Sequence, residues 1–116
     1  MKKTNSVHIG PLALSNPVFL SPMAGFTDKP FRMLSHEHSC GFVYTEMVSS
    51  EAIHYNSSRT EEIYGLRGED YPVGVQIFGS DPDKMAQAAQ VVAEHGAALV
   101  DINMGCPTPK IVKNGE

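Results

Sequence analysis

Apolar and polar positions along this chain mark out short strands and two clear amphipathic helices. "PVGVQIFG" (72–79) and "AALVDINMG" (97–105) carry the composition of buried strands. "FVYTEM" (42–47) reads the same way, and "PVFLSPM" (17–23) is an apolar run stopped by Pro22. "VHI-GP-LAL" (7–14) predicts a short hairpin across a Gly-Pro turn. Between these lie helical patterns. "TDKPFRMLSHEHSCG" has Thr27 as expected N-cap, Pro30 in the first turn and Gly41 as terminator. "SDPDKMAQAAQVVAEHG" has Ser80 as expected N-cap, Pro82 in the first turn and Gly96 at the end, with Met85, Ala89 and Val92 forming its buried stripe. The polar stretch 49–71 predicts a short helix near 50–55 followed by irregular chain. Alternating strands and helices imply right-handed βαβ units around a parallel sheet.

Period-two alternation then sorts the strand side chains. Val73, Val75 and Ile77 share one face, and Gly74, Gln76 and Phe78 the other; Val100, Ile102 and Met104 oppose Leu99, Asp101 and Asn103. The same parity sets Glu46 against Val43. Ser21, Glu46, Gln76 and Asn103 therefore fall near the C-terminal ends of successive strands, the edge where parallel α/β folds bind ligands.

Composition narrows the picture without adding chemistry. Among 116 residues, 41% are hydrophobic and 19% charged, as in an ordinary globular domain. No run of 18 apolar residues predicts a membrane span, and the start "MKKTNSVHIG" lacks the apolar core of a secretory signal. Two cysteines point to reduced thiols and a cytoplasmic setting rather than a disulfide framework. The formal charge of -4 gives no general attraction for nucleic acid or anionic lipid.

Cys106 stands just beyond the last strand, between Gly105 and Pro107. Free cysteines commonly serve as small buried apolar residues, but a place past a parallel strand and close to Asn103 favours function. An unperturbed thiol titrates near pH ~8.5 and is mostly protonated at neutrality, so it can donate a proton without an activating base. A nucleophile would need a depressed pKa and a histidine partner, and none lies nearby in sequence. The loop "SPMAGFTDKPFR" (21–32) offers small residues and proline where a flat ligand can approach backbone N–H groups; an ordinary βα turn has the same composition. His36, His38 and Cys40 are spaced two apart, which points them in different directions on a helix and argues against a metal site. Arg32 is a candidate partner for Glu46 or a solvated arginine.

Taken together, "PMAGFTDKPFR", "TEM", "VQIFGSDP" and "DINMGCPTPKIVKNG" resemble the tRNA-dihydrouridine synthases, the bacterial B-type members most of all, in order and spacing over about residues 9–116. The resemblance implies an FMN-dependent TIM barrel that reduces uridine in tRNA to 5,6-dihydrouridine, with NADPH as reductant. By motif, Pro22, Met23, Ala24 and Gln76 would hold the flavin, Asn103 would contact the uracil and Cys106 would be the proton donor. No metal is implied. A complete (β/α)₈ barrel takes roughly 200 residues or more. The expectation is therefore that residues 1–116 are the N-terminal half of a barrel, preceded by the hairpin, with the phosphate site and C-terminal helical domain absent. The full-length enzyme would be a monomer, and this part alone inactive and prone to association. Two other readings stay open at this point: a neighbouring FMN barrel such as a dihydroorotate or dihydropyrimidine dehydrogenase, and a non-catalytic truncated product.

Overall fold

A computed structural model describes residues 6–115. In chain order the elements are β1 (Val7–Ile9), β2 (Leu12–Leu14), α1 (Lys29–Glu37), β3 (Val43–Ser49), α2 (Ser50–His54), α3 (Ser58–Tyr64), β4 (Val73–Phe78), α4 (Pro82–Glu94), β5 (Leu99–Ile102) and α5 (Pro109–Lys113). The strands β3, β4 and β5 form a parallel sheet in that order, while β1 and β2 pair antiparallel through Val7 and Leu14. The run 17–23 lies alongside β3 in the parallel sense. It makes one bridge, Phe19 to Phe42, with Leu20 N donating to Phe42 O at 2.8 Å and Gly41 N to Val18 O at 2.8 Å. Pro17 and Pro22 flank it and have no N–H to extend the ladder.

Register gives the two faces of the sheet different jobs. Val75 pairs with Val100, and Val48 with Ile77, on the helix-covered face. Val48, Ile53, Tyr64, Val75, Ile77, Ala88 and Val92 form the buried core there, with Met85, Ala89 and Val100 packed against it. The opposite face carries three rows. Tyr44, Gly74 and Leu99 form the lowest; Met47, Gln76 and Asp101 the next; Ser49 and Phe78 the third, with Asn103 following β5. Gly74 is required in the lowest row, because a Cβ there would stand 2.7 Å from the Tyr44 ring and 2.9 Å from that of Phe42.

Several expectations are corrected by local chemistry. The N-caps are Asp28 and Asp81 rather than Thr27 and Ser80. Each carboxylate accepts first-turn N–H groups, Asp28 from Phe31 and Asp81 from Asp83 and Lys84, whereas Thr27 is fully buried and bonded elsewhere. Helix α1 ends at Glu37, before Gly41. Gly41 serves close approach instead, since a Cβ there would run into the Asn16 backbone. The stretch expected to be irregular contains α3, which buries Thr60 and Tyr64 on one face and whose Tyr64 joins the core.

The side-chain parity also changes inside β3. Its register with β4 shifts between Tyr44 and Met47, so two residues oppose one, as in a bulge. Met47, not Glu46, therefore stands opposite Gln76. Phe78, on the face opposite the helices, is only 7% exposed. Exposed apolar side chains instead flank the sheet, among them Val18 and Phe19 on one side and Ile102, Met104 and Val112 on the other.

Candidate active site

The chain after β5 turns at Asn103. Its backbone N donates to Ile77 O at 2.9 Å, continuing the ladder beyond the strand. Its side-chain Oδ1 accepts the Gly105 N–H at 3.0 Å, the self-capping turn for which asparagine is suited. Its Nδ2 donates to Gln76 Oε1 at 3.3 Å and approaches Met47 Sδ at 3.8 Å. Gln76 Nε2 in turn donates to Asp101 Oδ2 at 2.5 Å. An unbroken hydrogen-bonded row thus runs from β5 to β4 and back to the loop carrying Cys106.

Cys106 is half-buried and lines a cleft of about 60 Å3 with Phe78, Asn103 and Ile111. Its Sγ lies 3.1 Å from Thr108 Oγ1. Hydrogen bonds from the Thr108 hydroxyl and backbone hold the thiol below its ordinary pKa, against a smaller upward push from burial. The thiol is therefore more acidic than the unperturbed group assumed from sequence. Its contact with Asn103 is indirect, through Gly105.

Loop 20–28 stands at the same end of the sheet. Thr27 organises it: Met23 N donates to Thr27 Oγ1 at 3.0 Å, Thr27 Oγ1 and N both donate to Met23 O, and Phe26 N joins them at 3.0 Å. Gly25 N donates to Glu46 Oε1 at 2.5 Å, tying the loop to β3. Gly25 has a φ of +79°, a conformation glycine adopts without strain. Pro22 is half-buried, and Met23 and Ala24 are exposed. Glu46 is thus a tether for this loop, and Ser21 is exposed.

Arg32 does not pair with Glu46. Its guanidinium grips Glu69 through two bonds of 2.9 and 2.8 Å and donates to Thr27 O at 2.8 Å. Tyr71 Oη donates to the same carboxylate at 3.0 Å. His36 stacks on Tyr71 with ring centroids 4.1 Å apart, and His38 Nδ1 contacts its own helix at Leu34 O. Among the described residues no group of three or more His, Cys, Asp or Glu side chains is placed to hold a metal ion.

Three site residues, Asp101, Met47 and Thr108, were not singled out from sequence. Asp101 had the right parity, two positions before Asn103, and was legible on that ground. Met47 was hidden by the register shift in β3, which no residue pattern announces.

A parallel α/β sheet that gathers amides, a carboxylate and a thiol at the C-terminal edge of its strands has the arrangement of enzymes that bind a ligand there. Comparison with known proteins supplies the family. The family model described as Dihydrouridine synthase matches residues 19–116, and the chain belongs to that family. It is 48% identical over 105 residues to tRNA-dihydrouridine synthase B of Pseudomonas aeruginosa, covering 90% of this chain and 32% of that protein. It is 43% identical over 110 residues to the probable tRNA-dihydrouridine synthase of Treponema pallidum, covering 94% and 32%. Against tRNA-dihydrouridine synthase B of Xanthomonas axonopodis the identity is 41%, with 90% and 32% covered. The chain spans about a third of the length of these relatives.

Proposed function

We propose that this chain is the N-terminal half of a TIM barrel in an FMN-dependent tRNA-dihydrouridine synthase, acting in the cytoplasm on uridine in tRNA. The observation carrying this reading is the row Asp101–Gln76–Asn103, which leads into the Cys106 loop at the C-terminal edge of the sheet.

The donor set suits a flavin ring. An amide has two N–H donors and an oxygen with two lone pairs. Gln76 uses one N–H on Asp101 and accepts once from Asn103, leaving one donor and one acceptor for a ring edge of alternating carbonyls and N–H. Pro22, Met23 and Ala24 present backbone and small or pliable side chains on an exposed loop, suited to a flat ligand. When bound and reduced, FMN supplies the hydride for uracil C6, with NADPH as the source of its electrons.

The chain's own residues do the rest. Asn103 orients the uracil through its amide. Cys106 delivers the Sγ proton to C5, so that hydride and proton together saturate the 5,6 bond. The thiolate left behind is stabilised by the Thr108 contacts that already lower its pKa.

The test uses the full-length protein containing this chain. FMN content is read by absorbance, and dihydrouridine formation is followed on an unmodified tRNA transcript with NADPH. In the Cys106→Ala variant, flavin reduction by NADPH should persist while product formation collapses. Near-normal product from that variant would remove Cys106 from the mechanism. Reduction of free pyrimidines or dihydroorotate chemistry without action on tRNA would place the protein with the other FMN barrels.

A further inference from the structure

We infer that Asp101 is a positioning residue that sets the direction of the Gln76–Asn103 amide pair and, through it, the seating of the Cys106 loop. The part of this inference that concerns flavin rests on the function proposed above.

The argument is one of donor and acceptor sense. A side-chain amide can be turned by half a revolution with little change in shape, exchanging its N–H₂ for its oxygen. An ionised carboxylate removes that freedom, because it only accepts. Facing Asp101 Oδ2 at 2.5 Å, Gln76 must present Nε2. Its Oε1 then turns to Asn103 and accepts from Nδ2 at 3.3 Å. With Nδ2 so engaged, Asn103 directs Oδ1 at the Gly105 N–H, 3.0 Å away. The reversed sense would set Gln76 Oε1 against the carboxylate and Asn103 Nδ2 against the Gly105 N–H, a repulsion at each end. Sheet register holds the relay in place, since Gln76 and Asp101 are direct partners across β4 and β5. Tyr44, one row below on the same face, has its phenol pKa raised by burial and then by the Asp101 charge.

The consequence is that the remaining N–H of Gln76, its remaining lone pair and the Cys106 loop all take orientations chosen by a residue that need not itself touch the substrate. Removing the acceptor should release all three; an amide in its place, which can turn and donate as well as accept, should preserve them only in part.

The experiment compares Asp101→Leu with Asp101→Asn in the full-length protein. It measures thermal midpoint, FMN dissociation constant by fluorescence titration, and the rate of Cys106 alkylation by iodoacetamide, with Cys40→Ser as background. The leucine variant is expected to bind FMN about tenfold more weakly and to alkylate several-fold faster at a nearly unchanged thermal midpoint, while the asparagine variant falls between it and the parent. If the leucine variant does not fold, Asp101→Ala takes its place. Unchanged affinity and alkylation in a folded acceptor-less variant would overturn the inference. So would parent-like behaviour of the asparagine variant, which would show that an acceptor-only group is not what sets the direction. A parent protein that binds no FMN would instead defeat the functional reading, and the alkylation comparison, which needs no flavin, would still decide the relay.

Discussion

Arg32 and Glu69 face each other through two hydrogen bonds inside the molecule, their side chains 3% and 0% exposed. The pair joins α1 to the segment entering β4, and its third arm holds Thr27 O beneath the Met23 loop. Breaking a buried ion pair by removing one partner strands the other charge, at a cost of about 3–5 kcal/mol, whereas replacing both by apolar groups costs much less. Arg32→Leu should therefore lower the thermal midpoint of the full-length protein substantially, and Arg32→Leu with Glu69→Leu should recover part of the loss. A single variant with the parent's midpoint would show that the pair carries no stability.

Gly74 leaves the space that the Tyr44 ring fills on the sheet face away from the helices. Gly74→Ala forces that ring or the β4 backbone to move, and overpacking of this kind costs about 1–3 kcal/mol. Loss of stability measured by denaturant titration checks this; the further loss on adding Gly74→Ala to a Tyr44→Ala background should be smaller than the loss from Gly74→Ala in the parent.

The pH dependence of turnover should carry the imprint of Thr108. A proton donor is competent only while protonated, so activity falls as pH rises through the Cys106 pKa. The Thr108 bonds lower that pKa, which moves the alkaline limb to lower pH than an ordinary thiol would give. Thr108→Val deletes the hydroxyl and keeps the backbone contact, so the limb should shift upward. A downward shift in the pH–rate profile would contradict the assignment of both residues.

Expressed by itself, the chain should self-associate. Val18 and Phe19 on one flank, and Ile102, Met104 and Val112 on the other, are exposed apolar side chains beside strand edges, and open edges with apolar flanks pair with other chains. Light scattering reads the mass directly. Ile102→Lys with Val18→Lys should reduce association, and a clean monomer in the parent chain would rule the surfaces out.

Much of this arrangement was determined by residue order alone. Period-two alternation separated Val75 and Ile77 from Gln76, and Asn103 from Ile102, because side chains on a strand can only alternate. Pro82 and Gly96 bounded α4, because each restricts the backbone in its own way; Gly96 has a φ of +96°. The motifs around Met23, Gln76, Asn103 and Cys106 carried the family. Tertiary structure decided the rest. The register shift in β3 exchanged Met47 for Glu46 beside Gln76, since a bulge is set by how two strands pair and not by either one. Helix α3 formed in a polar stretch because Tyr64 had a core to enter. Arg32 chose Glu69, 37 residues away, over Glu46, and Asp101 acquired its part only when parallel pairing brought it level with Gln76. Local patterns specify which way a side chain points; only the packed chain specifies what it meets there.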